Sequence, residues 1–184
     1  MGAALWGRVE EHADEPAVCW TDNDEGVAFA RARGFSPTGR TLVSVLDVAS
    51  ADPSSPSPPE GVELVSWAEL DADPSALEGS DRAAAPDLRP DGSFVALVEG
   101  APVAYSLLTA DERGLGENEF TATLEAFRAR GLATLCKRAS IAWASGHGIH
   151  TIVTGNAETN AAMLAVNRKL GYRPDHVRTE LTRR

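Results

Sequence analysis

The stretch Arg128-Ala129-Arg130-Gly131-Leu132-Ala133 decides the fold, because it joins a predicted strand at 117–124 to a predicted helix at 130–145. The helix is expected to end at Gly146. A glycine that opens a helix leaves several backbone N–H groups without partners, and the helix dipole adds partial positive charge there. The sequence therefore predicts an anion site of pyrophosphate size at 128–133.

Basic side chains surround this loop in a chain whose formal net charge is −10. Arg128, Arg130 and Lys137 add positive charge near the predicted helix start. Taken alone, the pattern Arg-x-x-Gly-x-Ala is common, and it describes an ordinary helix start with solvated arginines equally well. The elements around the loop are therefore needed to decide between a ligand site and a plain helix start.

These elements predict a mixed α+β domain. Strands are predicted at 61–67, 93–98, 103–109, 117–124, 149–154 and 177–181, and helices at 130–145 and 158–170, with two short helical pieces within 68–88. An apolar stripe through Leu132, Leu135, Ala139 and Ala142 is expected to face the core. Because an antiparallel meander meets a parallel crossover, the sheet is expected to splay at its centre, where ligands often bind.

The two ends of the chain resemble each other. Residues 23–37 align without gaps with residues 160–174, each with an asparagine, a helix, a Gly-aromatic pair and a proline. We interpret residues 1–48 as a partial repeat of a closing helix and strands, 49–60 as a linker rich in proline and serine, and 61–184 as the main domain. Coincidence between two amphipathic helices is the alternative.

Composition excludes several classes of function. A net charge of −10 is opposite to what a nucleic-acid-binding surface needs. Cys19 and Cys136 are too far apart in sequence for a C-x-x-C motif, and the four histidines are scattered, so neither a disulfide framework nor a metal site is expected. No apolar run reaches membrane-spanning length, and the N-terminus lacks a signal-peptide pattern. A cytoplasmic protein is therefore predicted.

Residues 61–184, and 119–174 most closely, resemble the GNAT superfamily of N-acetyltransferases. Its signature Gln/Arg-x-x-Gly-x-Gly/Ala matches at 128–133. Asn160 before a helix, and Asn167 to Tyr172 at its end, match a second family marker. The resemblance implies a central mixed, splayed sheet flanked by helices, and acetyl-CoA as co-substrate without a metal. The residues expected to bind the coenzyme are Ala122, Thr123, Leu124, Arg128, Ala129, Arg130, Gly131, Leu132, Ala133, Asn160 and Asn167.

The implied reaction is direct attack of a primary amine, from a small molecule or an amino-acid-like substrate, on the thioester. Glu117 is the candidate base, since some family members carry a catalytic glutamate on this strand, and Glu119 shares its parity with Thr121 and Thr123. Strand alternation predicts that all four side chains face one side. Equally, Glu117 and Glu119 could lie on a solvated strand end, because Leu115 is the one large apolar residue within 111–118.

The general acid is open, because Asn167 stands where many family members have a tyrosine, and an amide cannot donate a proton as a phenol can. Water could supply this proton, or Tyr105, Tyr172 or Ser140. A non-catalytic acyl-CoA-binding or sensor module is therefore the alternative to an enzyme. The N-terminal repeat cannot bury its apolar face alone, so it is expected to pack on the main domain or to form a homodimer by exchange.

Overall fold

The computed structural model describes residues 17–183, which form eight β-strands and three α-helices. The strands are β1 (Ala17–Thr21), β2 (Ser36–Asp47), β3 (Val62–Ser66), β4 (Phe94–Val98), β5 (Ala101–Ala110), β6 (Leu115–Thr123), β7 (Thr151–Ala157) and β8 (Arg173–Arg183). The helices are α1 (Asp24–Arg31), α2 (Leu132–Ser145) and α3 (Ala161–Lys169). Short 3-10 turns occur at Val48–Ser50, Trp67–Glu69, Ser80–Ala84, Pro90–Gly92 and Glu125–Phe127.

The eight strands form one sheet in the order β1-β8-β2-β7-β6-β5-β4-β3. Neighbouring strands are antiparallel except β6 and β7, which pair in parallel only from Leu115–Glu117 to Thr151–Val153. Beyond Glu117 the ladder between these two strands stops, and the sheet opens. The expected mixed, splayed sheet is therefore confirmed, and the opening lies between the meander and the crossover, as the element order predicts.

The N-terminal segment is part of the same sheet. Strand β2 lies between β7 and β8, and β8 lies between β1 and β2, all with antiparallel pairing. The two strands of the unit β1-α1-β2 are therefore separated by β8, and the two strands of the unit β7-α3-β8 are separated by β2. Each unit contributes one strand that lies between the strands of the other. In this single chain the N-terminal repeat packs on the main sheet. Exchange between two chains stays a prediction, as do the boundaries at 48 and 61.

Both repeat helices begin with the same side-chain cap. Asn23 Oδ1 accepts a hydrogen bond from the backbone N–H of Gly26 at 2.8 Å, and Asn160 Oδ1 accepts one from Met163 N–H at 3.1 Å. Each asparagine thereby satisfies one of the orphan donors of the first turn. The aligned asparagines thus have the same local function in the fold.

Both repeat helices also end in the same way. Gly34 and Gly171 have φ angles of +82° and +92°, a region that glycine enters without the steric cost of a side chain. The aromatic residue that follows each glycine, Phe35 or Tyr172, is buried at 4% exposure. The Gly-aromatic pair therefore stops each helix and anchors its end in the core.

Helix α2 packs on one face of the central strands and is buried more widely than an amphipathic stripe would be. Cys136, Lys137, Ser140 and Ile141 are buried as well as Leu132, Leu135 and Ala139, whereas Ala142 is only half-buried. The predicted stripe was therefore too narrow. The linker at 49–60 also contacts this helix, on a side that does not face the sheet. Arg138 of the helix donates hydrogen bonds to Asp52 and Ser54 of the linker.

Some local predictions were wrong. Strand β1 was missed because it is short and lies at the sheet edge, where Val18 and Trp20 are exposed. The segment 68–88 contains 3-10 turns instead of helical pieces, since Pro74 and Pro86 interrupt it. Within residues 17–183, none of the helices combines the length and apolar character that crossing a bilayer would need.

Candidate active site

A cavity of about 870 Å³ lies where β6 and β7 diverge. Its wall includes β6, the start of α2 and the start of α3. Most of the predicted coenzyme-binding residues border it, namely Ala122, Thr123, Leu124, Arg128, Ala129, Gly131, Leu132, Ala133 and Asn160. Residues distant in sequence are thus brought together around one cavity.

The N-terminus of α2 opens on this cavity without a side-chain cap. Gly131 is the N-cap residue with φ +80°, and the first turn holds no acidic residue. A Cβ at Gly131 would meet no heavy atom within 4 Å, so the glycine is needed for its backbone conformation and not for lack of room. Ala129 also has a positive φ of 62°. The N–H groups of the first turn therefore remain available to an anion.

The two arginines of the loop bind nearby carbonyls. Arg128 Nε donates to Thr123 O at 3.3 Å, and Arg130 Nη2 donates to Ala126 O at 3.0 Å. Arg128 borders the cavity, whereas Arg130 lies over the Phe127 ring with its Cζ 4.9 Å from the centroid and is not part of the wall. The arginines lie beside the N-terminus of α2, which carries partial positive charge, so like charges are close together there. A bound anion would relieve their repulsion.

The edge of β6 that faces β7 is free of ladder pairing from Asn118 to Thr123. Its other edge pairs with β5, and Leu124 N–H donates to Val103 O at 2.9 Å. Ala122, Thr123 and Leu124 border the cavity along this edge. An extended chain with amide groups can add to such an edge as a further strand would.

The strand carrying Glu117 and Glu119 has a β-bulge. Leu107 pairs with Phe120 but Leu108 pairs with Asn118, so Glu119 is the extra residue. The alternation is broken there, and the prediction that Glu117, Glu119, Thr121 and Thr123 all face one side is wrong. Glu117 pairs with Thr109 and Thr121 with Ser106, and these two partners lie three residues apart on β5, so their side chains point to opposite faces.

The two glutamates differ in their surroundings. Glu119 borders the cavity and accepts a 2.6 Å ion pair from Arg82 Nη1. Glu117 does not border the cavity. The Glu117 residue is exposed on β6, as expected for a solvated strand end, yet desolvation of its carboxyl, and then the negative charge of Glu119, raise its pKa above the usual value. Of the two carboxylates, Glu119 therefore has direct access to a ligand in the cavity, whereas Glu117 lies outside the cavity wall.

Two polar residues of the site, Asn118 and Asn156, were missed from the sequence, and the burial of a third, Lys137, was not predicted. Asn118 is 5% exposed and donates to Ser106 Oγ at 2.6 Å and to Leu107 O at 3.0 Å. Lys137, predicted to add charge near the phosphate loop, is 1% exposed and borders the cavity. Asn156 borders it too. Nothing in the local pattern distinguishes these residues from surface ones.

Asn167 lies behind the cavity wall. Its Oδ1 accepts a 2.7 Å hydrogen bond from Lys137 Nζ, and its Nδ2 donates to Asn156 Oδ1 at 2.6 Å. The residue is 3% exposed and does not itself border the cavity. Burial lowers the pKa of Lys137 to about 7. The structure thus places Asn167 as a support for Lys137 and Asn156.

The other candidate proton donors lie away from the cavity wall. Tyr105 donates to Glu78 O at 2.5 Å, and Ser140 donates to Cys136 O at 3.3 Å. Tyr172 is buried in the core, where desolvation raises its pKa. None of these three side chains borders the cavity. Among residues 17–183 no cluster of His, Cys, Asp and Glu is arranged to hold a metal ion.

Comparisons with known proteins agree with this geometry. The solved structures that this chain is similar to include a tandem GNAT protein from the clavulanic acid biosynthesis pathway, at 21% identity and a TM-score of 0.74, covering 98% of this chain and 69% of that one. A GCN5-related N-acetyltransferase from Sphaerobacter thermophilus matches at 14% identity and a TM-score of 0.70, over 99% and 65% of the two chains. One from Kribbella flavida matches at 19% and 0.67, over 99% and 73%.

These identities show the fold alone. A search of curated proteins gave no match. The model of the acetyltransferase (GNAT) family, however, matches residues 57–172, which is more than half of the chain. The chain therefore belongs to the GNAT family and is an acyltransferase.

Proposed function

We propose that this protein is an N-acetyltransferase that transfers the acetyl group of acetyl-CoA to a primary amine of a small molecule or an amino-acid-like substrate, by direct attack. The observation that carries this proposal is the uncapped N-terminus of α2, flanked by arginines, which opens on the cavity beside the free edge of β6. An anion and an extended amide chain have complementary partners there, and coenzyme A contains both.

The coenzyme would be held by residues of two elements. The N–H groups of Leu132 and Ala133, together with Arg128, would bind the pyrophosphate, with Arg130 adding positive charge. The backbone from Ala122 to Leu124 would pair with the pantetheine amides. Asn160 is the N-cap residue of α3, and its Oδ1 makes the capping bond. Its amide nitrogen is left to contact the coenzyme.

Bound acetyl-CoA supplies a thioester, whose carbonyl carbon is open to attack by an amine. Glu119 would hold the substrate ammonium in the cavity, kept in place by Arg82. Glu117 would accept, through water, the proton that this ammonium loses before its nitrogen attacks, because its raised pKa makes it a stronger base than an ordinary carboxylate. The net charge of −10 also favours a cationic acceptor.

Binding and turnover can be tested separately. Millimolar acetyl-CoA is expected to raise the melting temperature of the wild-type protein by linkage. No shift would contradict the proposed binding. A panel of primary amines, assayed by thiol release, then tests the reaction, and Glu117→Gln combined with Glu119→Gln is expected to lower turnover strongly. Full turnover in this double variant would contradict the assigned roles.

An acyl-CoA-binding module without efficient catalysis is the second candidate. The observation that favours it is Asn167, together with the positions of Tyr105, Tyr172 and Ser140 away from the cavity wall. This candidate predicts a thermal shift with acetyl-CoA but no thiol release with any amine. A cytoplasmic location and exchange of the N-terminal repeat between two chains remain proposals too; light scattering tests the exchange.

A further inference from the structure

Lys137 is the buried cation of this site. It belongs to α2, about one turn beyond the end of the loop, and it borders the cavity although the residue is 1% exposed. Its Nζ donates to Asn167 Oδ1 at 2.7 Å. An ammonium group has three donors, so those not used by Asn167 can turn to the cavity.

The neighbours of Lys137 hold it without neutralising it. Asn167 on α3 and Asn156 on β7 are uncharged, and the bond between them orients the amide oxygen of Asn167 toward the ammonium. The Tyr172 ring lies with its centroid 5.0 Å from Nζ, and burial raises the pKa of its phenol. From α2 itself, the Cys136 thiol is directed to Ala104 O.

An unpaired lysine is costly to bury, because its charged form loses hydration. That cost lowers the pKa of Lys137 to about 7, far below the value of an exposed lysine. A general acid is most effective when its pKa is close to the working pH. The burial of Lys137 is therefore suited to proton transfer, whereas a purely structural position would be filled more stably by an apolar residue.

We propose that Lys137 protonates the sulfur of coenzyme A when the thioester is cleaved, in place of the tyrosine that Asn167 replaces. This inference rests on the proposed function. The amine nitrogen forms its bond to the carbonyl carbon and the C–S bond breaks, leaving its electron pair on sulfur. Lys137 gives that sulfur a proton and becomes neutral, while the second proton of the attacking nitrogen goes to water, since Glu117 holds the proton taken from the ammonium. Solvent then reprotonates Lys137.

The chain has two lysines, Lys137 and the exposed Lys169, so a variant of Lys169 is a matched control for a variant of Lys137. The ionisation of bound coenzyme A is followed by the ultraviolet absorbance of its thiolate as a function of pH. An ammonium group and a thiolate that lie side by side stabilise each other and titrate as a pair, so in wild type and Lys169→Met part of the bound thiol is expected to ionise about one pH unit or more below the free thiol. Lys137→Met is expected to bind coenzyme A without this shift.

Lysine NMR gives a second measurement that needs no variant at the site. In protein labelled only at lysine, Lys169→Met assigns the two signals. Coenzyme A is expected to raise the pH at which the Lys137 signal titrates, and desulfo-coenzyme A, which lacks the sulfur, is expected not to. Equal titration with both ligands would overturn the inference even if Lys137→Met failed to fold.

The outcomes separate the two proposals. If wild-type protein does not bind coenzyme A, the proposed function falls and the inference with it. If coenzyme A binds but its thiol ionises alike in wild type and Lys137→Met, only the inference falls. Acetylation of Lys137 after incubation with acetyl-CoA would also overturn it, because the amine would then be a nucleophile. Recovery of turnover in Lys137→Met/Asn167→Tyr would support it, since a phenol then supplies the proton.

Discussion

The units β1-α1-β2 and β7-α3-β8 have the same local construction but different charges at the helix start. Both helices have an asparagine cap and end in a left-handed glycine before a buried aromatic residue. The first turn of α1 holds Asp24 and Glu25, whereas α3 has Ala161 and Ala162 in the aligned positions. Acidic groups stabilise a helix start but repel an anionic ligand. The repeat therefore preserves the fold, while only α3 can border a site for an anion.

The largest expected effect on acetyl-CoA affinity comes from placing the acidic residues of the first turn of α1 at the aligned positions of α3. Ala161→Asp/Ala162→Glu is expected to weaken acetyl-CoA binding about 30-fold, since two added carboxylates near a pyrophosphate cost roughly 2 kcal/mol. Titration calorimetry measures this change. The reverse replacement, Asp24→Ala/Glu25→Ala, is the matched control and should leave the affinity unaltered. An unaltered affinity in the α3 variant would mean that the coenzyme does not approach this helix.

The second difference is steric. A Cβ at Gly26 would lie 1.9 Å from Thr21 Oγ1, whereas the aligned Met163 carries a full side chain. Gly26→Ala is expected to lower the free energy of unfolding by about 1 kcal/mol, because crowding of roughly 2 kcal/mol exceeds the gain in helix propensity. Denaturant unfolding measures this. Thr21→Ala should restore part of the loss in the double variant, and a stabilised Gly26→Ala would show that β1 moves aside.

The two asparagine caps separate stability from binding. Asn23→Ala and Asn160→Ala are each expected to cost about 1 kcal/mol of folding stability, because each loses one capping bond. Only Asn160→Ala should also weaken acetyl-CoA binding, as Asn160 borders the cavity. Thermal melts with and without acetyl-CoA compare the two variants. An equal ligand-induced shift in both would remove Asn160 from the coenzyme site.

The smallest expected effect concerns Glu117, where the second unit meets β6. Its carboxyl pKa is raised in the fold, so the folded state holds this proton to higher pH than the unfolded state does. The stability contribution of Glu117 therefore falls as pH rises from the unfolded pKa through the folded one. Glu117→Gln should raise the melting temperature more at pH 7 than at pH 4. The exposed Glu112→Gln is the control, and a pH-independent difference for Glu117→Gln would contradict the raised pKa.

Local sequence patterns were sufficient to place the parts of the candidate site that are set by backbone conformation. The loop 128–133, the helices that follow it and Asn160 could be placed from the sequence, because glycine positions, caps and periodicity are local signals. The lining of the cavity could not. The bulge at Glu119 depends on how β6 pairs with β5, and a shift of one residue reverses the side to which a side chain points.

The sequence by itself indicated the family, the loop at 128–133 before a helix and the aligned repeat, since each is a short run whose spacing carries the signal. The tertiary structure alone decided that β2 lies between β7 and β8, and that Lys137 is buried against Asn167 at the cavity. Both facts depend on contacts between residues far apart in the chain. Such contacts have no local period, because burial is set by what packs around a residue rather than by its neighbours in sequence.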